Sequence, residues 1–288
     1  MDRISPEIDA LVRRLHARGR LRVWSIIISV FGDSIQPHGG TVSASTLGAI
    51  LDGLNIEPGA MRSALSRLGK EGWIERHKIG RTSQYSLTNK GLRAFLPAAQ
   101  RIYSPKGPQG PDLWTLATIG SYATGDRAGL QADLLNAGFL DLGRGAFLFA
   151  GDAPDATPGL SQCLVLKGQM ANIPDRVKTT FAPDAEKTAY QDILAGFAPL
   201  QSALADGAAI TPKQAIVART MLIHDWRRVV LHSAGLPPEF YPEDWPAESC
   251  RAFVAELYKT LTPAAEEWLA ATAELTTFPA PEVLRRFS

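Results

Sequence analysis

Residues 59–87 read GAMRSALSRLGKEGWIERHKIGRTSQYSL, and this stretch constrains the fold more than any other part of the chain. Its first half repeats apolar residues at helical spacing and ends at Gly69 and Gly72. Two runs of strand-like alternation follow, joined by a basic turn at Gly80 and Arg81. A short helix beside a basic β-hairpin is the plan of a winged helix-turn-helix, so the pattern predicts a domain that reads duplex DNA.

The polar side of this helix carries residues suited to base recognition. Arg62 and Ser66 lie four positions apart, as do Ser63 and Arg67, which puts both pairs on one exposed face. Arginine can bond bidentately to guanine, and serine can bond several bases or a phosphate. The spacing therefore predicts that these four side chains read base edges. The alternative is a solvated basic helix next to an ordinary hairpin.

Residues around this helix are predicted to contact the DNA backbone. A lysine ends the helix, and three basic residues lie in the hairpin, where they can meet phosphates or the minor groove. The preceding helix, which Ser45 is expected to cap, can offer its first amides to a phosphate. The predicted backbone contacts are therefore Ser45, Thr46, Lys70, Arg76, Lys78 and Arg81.

The charge of the chain is distributed unevenly. The net charge is +1, but residues 1–101 carry 15 Lys and Arg against 8 Asp and Glu, whereas residues 102–288 carry 15 against 21. A basic first third predicts a polyanionic partner for that part of the chain. Chance asymmetry is the alternative.

Several classes of protein are disfavoured by the sequence. Cys163 and Cys250 form no CxxC pair, so neither a zinc site nor a disulfide framework is expected, and the cytoplasm is the simplest location. No apolar run reaches about 18 residues, so we expect no membrane span. No GxSxG, GxxxxGK(S/T) or strand-following GxGxxG motif occurs. We therefore expect no catalytic residue, metal or cofactor, and we interpret the Gly-Asp pairs at 32–33 and 151–152 as turns.

The rest of the chain divides into two parts with different patterns. The segment SPKGPQGP at 104–111 is a plausible linker, and strand, helix, strand and strand patterns follow it, as in a small ferredoxin-like unit. From about residue 186 the pattern is helical, with a start signal at Thr211 and a stop at Gly235. The predicted fold class is multidomain α+β, with a winged helix-turn-helix at 1–103, a central ferredoxin-like α+β domain at 104–185 and a mostly helical C-terminal domain at 186–288.

Two further groups of basic residues have open interpretations. In the segment HDWRR at 224–228, His224 and Arg228 share a helix face and Trp226 offers an aromatic surface. An anion-binding clamp and an ion-pair network around Asp225 both fit this pattern. Basic residues near the middle of the chain are more simply interpreted as solvated than as a phosphate site. They are Lys167, Arg176 and Lys178.

Taken together, these motifs resemble the PaaX family, the repressors of phenylacetic acid degradation operons. The resemblance spans nearly the whole chain in the right order. The matching motifs are FGD at 31–33, MRSALSRLGKEGWIERHKIGRTSQYSLTNKG at 61–91, RIYSP at 101–105, IHDWRRVVL at 223–231 and LPPEFYPEDWP at 236–246.

The resemblance implies a homodimeric repressor of catabolic genes. Its winged helix would bind a double-stranded DNA operator, and a coenzyme A thioester such as phenylacetyl-CoA would release it. The implied central domain is similar to a small CRISPR-associated nuclease fold. Those nucleases place a metal-binding aspartate after the first strand, where this chain has Gly120 and Ser121, so nuclease activity is not expected.

A coenzyme A thioester needs cations for its phosphates and an apolar slot for its acyl group. The residues expected to supply both are Arg219, His224, Trp226, Arg227, Arg228 and Tyr241. Two alternatives stay open. One is an enzyme acting on coenzyme A thioesters or nucleic acid, with the winged helix used for assembly. The other is a winged-helix scaffold that binds only protein.

Overall fold

The structure is a computed structural model that describes residues 3–19, 21–80, 82–121, 126–272 and 280–288. Contacts between residues group the chain into two compact units. The first unit comprises residues 1–107, 184–233 and 246–288. The second comprises residues 108–183 and 234–245.

Helices predominate over strands in the described residues. The helices are α1 (Ser5–Ala17), α2 (Val23–Val30), α3 (Ala44–Asp52), α4 (Pro58–Lys70), α5 (Asn89–Ile102), α6 (Arg127–Asn136), α7 (Asp175–Phe181), α8 (Asp184–Ala205), α9 (Pro212–His232), α10 (Ala247–Ala270) and α11 (Pro281–Leu284). The strands are β1 (Thr41–Ser43), β2 (Ile74–Ile79), β3 (Thr82–Leu87), β4 (Trp114–Thr118), β5 (Leu140–Gly143), β6 (Ala146–Ala150) and β7 (Leu164–Gly168). The strands form two small sheets, so the predicted α+β class is confirmed.

The first unit contains a three-stranded antiparallel sheet beside α3 and α4. Its strand order is β1-β3-β2, and the buried Ile74 and Leu87 lie opposite each other at the base of the β2–β3 hairpin. The helix and both hairpin strands of the opening stretch are thus where their periodicity predicts them. Strand β1 was not predicted, because its three residues are too few to show an alternation.

Helix α9 is the centre of the first unit. It packs against α1, α2, α3, α5, α8 and α10, and every residue from Ala215 to Trp226 is buried. Its start is fixed by a capping box, in which Thr211 and Gln214 bond each other's backbone N–H groups at 3.0 and 3.3 Å. The C-terminal helices and residues 1–107 therefore share one core. The three-domain division stays a prediction about folding units.

A buried ionic cluster joins the end of α2 to the C-terminal helices. Asp33 is 1% exposed, and its carboxylate lies 3.0 Å from Nε of Arg219 and 2.9 Å from Nη1 of Arg286. The hydroxyls of Tyr103 and Tyr258 donate to the same carboxylate at 2.8 and 3.1 Å. The Asp33 carboxylate thus lies against two arginines that are themselves almost fully buried, of which Arg219 has a second carboxylate partner in Glu266 at 2.8 Å.

The interpretation of residues 32–33 as a turn was wrong. They lie in a π-helical segment, Phe31–Ile35, that continues α2. A Cβ at Gly32 would lie 2.7 Å from the ring of Phe95, so the glycine permits close packing and does not mark a bend. The segment aims Asp33 into the core, where the arginines neutralise it.

The second unit contains a four-stranded antiparallel sheet in the order β5-β6-β4-β7. Helix α6 packs on it through Leu130 and Leu134, beside Phe139 and Phe147. The segment at 238–240 also belongs here, because Phe240 packs 5.1 Å from the ring of Trp114. Most of the LPPEFYPEDWP loop is therefore part of this unit and not of the helical C-terminal part.

None of the helices in the described ranges is long and apolar enough to cross a bilayer.

Candidate nucleic-acid interface

Helix α4 has one apolar and one polar face. It begins with Pro58, whose missing N–H suits the first helical position, and it is followed by Gly72 at a φ of 72°. The residues that attach it to the core are Met61, Ala64, Leu65 and Leu68, all buried. The residues on its other side are exposed, namely Arg62, Ser63, Ser66, Arg67 and Lys70. The structure thus brings the predicted base-reading residues together on one solvent-facing side.

These exposed residues border two different grooves. Arg62, Ser66 and Lys70 line a groove of about 590 Å³ between α4 and the β2–β3 hairpin. Ser63 and Arg67 line a larger cavity that α4 shares with α2 and α9. Of the five, Arg67 is the one with an ion pair to another described residue, 2.7 Å from Glu71. The guanidinium groups of Arg62 and Arg67 are therefore in different chemical surroundings.

The hairpin supplies further exposed cations. Arg76 donates from Nε and Nη2 to the Ser83 hydroxyl at 3.0 and 2.6 Å, which fixes its side chain across the two strands. Lys78 is exposed near the tip, and Arg81 lies outside the described residues. His77 is also exposed here, with Nε2 2.8 Å from the Ser86 hydroxyl. Sequence reasoning missed His77, although its position between Arg76 and Lys78 was a usable signal.

The start of α3 differs from the sequence expectation. The cap is Ser43 and not Ser45, because Ser43 has the extended backbone of a cap and its Oγ accepts from the Thr46 N–H at 3.1 Å. Thr46 is buried, whereas Ser45 is exposed beside the cap. Of the two residues predicted to face phosphate, only Ser45 therefore presents a side chain to solvent.

The six predicted ligand residues do not form one site. Arg219 is fully buried between Asp33 and Glu266, and Trp226 is buried with its Nε1 donating to the Ile102 carbonyl at 2.8 Å. Tyr241 belongs to the second unit, where it stacks on Trp245 with the ring centroids 5.0 Å apart. The other three, His224, Arg227 and Arg228, line the larger cavity beside α4.

This larger cavity, called here the arginine cavity, has a volume of about 1280 Å³ and lies within the first unit. Its walls come from the segment after α1, from α2, from α4 and from α9. Its basic residues are the arginines Arg18, Arg22, Arg67, Arg227 and Arg228 and the histidines His224 and His232. The basic residues between α1 and α2 were visible in the sequence, but their approach to α9 depends on tertiary packing.

The ion-pair interpretation of the HDWRR segment describes Asp225, and the anion-clamp interpretation stays a prediction. Asp225 is the centre of an ion-pair network, with Arg14 and Arg18 of the N-terminal segment each 2.6 Å from its carboxylate. Arg227 and Arg228 have no carboxylate partner among the described residues. Arg227 donates instead to the backbone and hydroxyl of Ser25 and to a second serine hydroxyl at 2.6–2.7 Å.

The positive charge around the cavity helps to lower the pKa of two residues that line it. Burial and the nearby charges of Arg227, Arg228 and Arg18 lower the pKa of His224 to about 3. Burial, opposed by Tyr103 and reinforced by Arg228, lowers the pKa of Arg227 to about 10, which leaves it charged at neutral pH. The folded protein therefore holds His224 neutral next to charged arginines.

Acidification is expected to destabilise the protein through His224. The unfolded chain binds a proton at this residue below about pH 6.5, whereas the folded chain does so only near pH 3. The stability from neutral His224 is thus complete above pH 6.5 and is lost as the pH falls. Between pH 7.5 and 5 this group should contribute a loss of about 2 kcal/mol.

Urea denaturation at the two pH values measures this loss. In wild type the free energy of unfolding should be lower at pH 5 than at pH 7.5. This difference should be smaller by about 2 kcal/mol in His224→Gln. It should be unchanged in His232→Gln, a substitution at an exposed histidine of the same helix. An equal decrease in wild type and His224→Gln would show that His224 does not titrate as described.

The basic group in the second unit is largely ion-paired. Nζ of Lys167 lies 2.6 Å from Asp152 and 3.4 Å from Asp155, and Nζ of Lys178 lies 3.8 Å from Asp175. These contacts agree with the solvated interpretation. In the part of the chain that the structure describes, no group of three His, Cys, Asp or Glu is placed to hold a metal ion.

Comparison with known proteins connects this site to a family. A family model described as PaaX-like protein matches residues 22–91, and one described as PaaX-like protein C-terminal domain matches residues 181–271. The Transcriptional repressor PaaX of Escherichia coli (strain K12) is 30% identical over 273 residues, which cover 89% of this chain and 86% of that protein. The solved structure of the uncharacterized protein Rv0674 from Mycobacterium tuberculosis aligns with a TM-score of 0.51 at 20% identity, covering 83% of this chain and 97% of that one, which is a likeness of fold. The matches at both ends of the chain and the identity along most of its length show that this chain belongs to the PaaX family.

Proposed function

We propose that this chain is a transcriptional repressor that binds operator DNA through α4. The observation that carries this proposal is the side of α4 on which two arginines, two serines and a lysine are all exposed, beside a hairpin with further exposed cations. Arg62, Ser63, Ser66 and Arg67 read bases, and Lys70, Arg76, Lys78 and Arg81 hold the backbone. The name of the Escherichia coli relative, a transcriptional repressor, supports the same activity.

The order of elements supports a winged helix-turn-helix in residues 1–103. Helices α3 and α4 are joined by a short turn at Asn55, which has a φ of 54°, and the β2–β3 hairpin follows directly. Strand β1 completes the sheet on the far side of β3. In this arrangement α4 is the recognition helix and the hairpin is the wing.

The strand order supports a ferredoxin-like central domain. Strand β4 lies between β6 and β7, and α6 connects β4 to β5, as in the first half of a βαββαβ unit. The second half departs from that pattern, because a single 3-10 turn, Leu160–Gln162, stands between β6 and β7. We infer that this domain contributes to assembly and not to catalysis.

We propose that the repressor acts in the cytoplasm as a homodimer on genes for phenylacetate or a related aromatic acid. Membership of the PaaX family supports this target. Two protomers would place two recognition helices on half-sites about one helical turn, or a multiple of it, apart. The edge strand β7 exposes Leu164 and Leu166, at 55% and 59%, which supports a self-association surface in the second unit. Sedimentation of the full chain tests the dimer.

We propose a coenzyme A thioester, such as phenylacetyl-CoA, as the effector. Release of DNA requires the effector to bind free protein more tightly than operator-bound protein. Titrating a panel of acyl-CoAs against a labelled operator complex tests this step. A thioester that binds in calorimetry yet leaves the complex intact would contradict it.

Binding to promoter DNA from the chain's own gene neighbourhood tests the repressor proposal. The affinity for one fragment should exceed that for unrelated DNA and should fall linearly with log salt concentration. Lys78→Ala should weaken binding to all sequences and reduce the magnitude of that slope by about 1, because one phosphate contact is lost. Fluorescence anisotropy over a range of salt concentrations measures the slope.

Lys259→Ala is the matched control for this experiment. Lys259 is an exposed lysine on α10, remote in sequence from the hairpin, and its removal should leave the slope unchanged. Binding that is insensitive to salt would contradict a DNA-reading function and favour a protein partner for the same surface.

A further inference from the structure

The arginine cavity carries more positive charge than the protein itself compensates. Its lining contains five arginines and no Asp or Glu. Arg18 and Arg67 have carboxylate partners outside the lining, in Asp225 and Glu71. Within the described ranges, no carboxylate lies within 4.0 Å of the guanidinium of Arg22, Arg227 or Arg228. Three uncompensated cations around one cavity favour a ligand with more than one negative charge.

One of these arginines is held in place before any ligand arrives. Arg227 is partly buried, and the hydroxyls of Ser25 and Ser29 accept from its guanidinium at 2.6 Å. Its uncompensated charge also helps to keep His224 neutral. A fixed guanidinium loses little conformational entropy when a phosphate binds, so this wall of the cavity is preorganised for an anion.

Apolar residues also line the cavity. Leu21, Val23, Trp24 and Leu231 belong to its wall. The volume of about 1280 Å³ exceeds that of a typical drug-sized pocket and is enough for a nucleotide with an attached acyl chain. Multiple cations with an adjoining apolar wall fit a ligand that combines several phosphates with an apolar group. A simple aromatic acid offers only one negative charge.

The cavity is also physically connected to the recognition helix. Ser63 and Arg67 line it from α4, and the guanidinium of Arg67 lies 5.2 Å from the ring centroid of Trp24, another lining residue. The ion pair of Arg67 with Glu71 is exposed, so it is exchangeable. A phosphate in the cavity would give Arg67 a more highly charged partner than Glu71.

We propose that the arginine cavity binds the phosphates of the coenzyme A thioester effector, and that the bound effector withdraws Arg67 from DNA. This inference rests on the proposed release of the operator by such a thioester. It places the effector inside the first unit, beside α4. Operator and effector then compete for one side chain, and each weakens the binding of the other by the same factor.

Isothermal titration calorimetry of the full chain tests the location. Coenzyme A and phenylacetyl-CoA are the probes, with phenylacetate as the probe that lacks phosphate. The variant R22Q/R228Q removes two exposed arginines that have no carboxylate partner, so its thermal unfolding should match wild type. Its affinity for both coenzyme A probes should fall about tenfold or more. Phenylacetate alone should bind far more weakly to every variant.

The variant R13Q/R93Q is the matched control. It removes the same charge from exposed positions on α1 and α5 that do not line the cavity, and its coenzyme A affinity should stay within about twofold of wild type. Equal affinity of R22Q/R228Q and R13Q/R93Q for the thioester would overturn the proposed site while leaving an acyl-CoA-responsive repressor intact. Loss of operator affinity in R22Q/R228Q without loss of thioester affinity would instead assign these arginines to the DNA backbone.

The role of Arg67 is tested separately, by measuring operator affinity with and without the thioester. In wild type the thioester should weaken operator affinity by a measurable factor, and in Arg67→Ala the residual operator affinity should respond less. An identical factor in both proteins would overturn the competition for Arg67. If no coenzyme A compound binds wild type at all, the cavity assignment and the proposed effector both fail, whereas operator binding by itself would still support the repressor.

Discussion

Replacing Asp33 by asparagine is expected to lower the free energy of unfolding by about 3–5 kcal/mol. The substitution keeps the shape of the side chain and removes its charge. Arg286 then retains one carboxylate, that of the exposed Glu282 at 3.9 Å, while Arg219 keeps Glu266 at 2.8 Å. Both arginines are almost fully buried, so uncompensated charge there is costly.

The surroundings of Asp33 explain why a single carboxylate has this effect. Tyr103 and Tyr258 donate to it, and burial raises the pKa of Tyr258 to about 12, with Asp33 also raising it and the two arginines opposing. Both hydroxyls and Arg286 donate to Oδ1, whereas Oδ2 accepts from the Ser34 hydroxyl and lies 3.0 Å from Nε of Arg219. Asparagine has one oxygen, and its amide nitrogen cannot accept, so one of these two sets of donors loses its acceptor. Both the ionic and the hydrogen-bonding losses occur inside the core.

Urea denaturation measures the loss of unfolding free energy in Asp33→Asn, with Asp52→Asn as the control. Asp52 also forms an ion pair, 3.1 Å from Lys213, but both side chains are exposed, and its loss should cost less than about 1 kcal/mol. Similar small losses in the two variants would contradict the structural role assigned to the Asp33 cluster.

Replacing Arg62 by alanine is expected to weaken operator binding by about 1–3 kcal/mol, or roughly 5- to 150-fold. Arg62 is exposed on the recognition helix and borders the groove that faces the wing. It has no ion pair with a described residue, so its guanidinium is available for a base. Competition titrations with a labelled operator fragment measure the loss.

Two further variants, a second residue of α4 and a control in the second unit, accompany Arg62→Ala. Arg67→Ala should also weaken binding, although Arg67 must first exchange its contact with Glu71, which reduces the net gain from DNA. Arg176→Ala removes an exposed arginine of the second unit and should leave operator affinity unchanged. Unchanged affinity in both Arg62→Ala and Arg67→Ala would show that α4 is not the recognition helix.

Local patterns in the sequence were sufficient to predict the elements that carry the site. The periodicity of Met61, Leu65 and Leu68 places α4 and its exposed side, and Thr211 followed by Pro212 places the start of α9. These signals are local because helix faces and caps depend on residues a few positions apart. The same holds for the strands of the hairpin.

The surroundings of individual side chains depend on long-range packing, which the sequence patterns could not show. Arg219 and Arg227 lie on the same helix, yet Arg219 is neutralised by Asp33 and Glu266, whereas Arg227 borders the cavity without a carboxylate. Their different roles depend on which distant segments pack against each face of α9. Tyr241 also depends on long-range packing, because its loop is close to α9 in sequence but belongs to the other compact unit.

The most direct test of base reading by α4 is the base-pair specificity of operator binding by wild type and Arg62→Ala. A panel of operator fragments, each with one base pair changed, is titrated with both proteins at one salt concentration. We predict that wild type discriminates at a position in each half-site where Arg62→Ala no longer does, while its preferences at other positions persist. A uniform loss of affinity with an unchanged specificity profile would contradict the claim that α4 reads the operator.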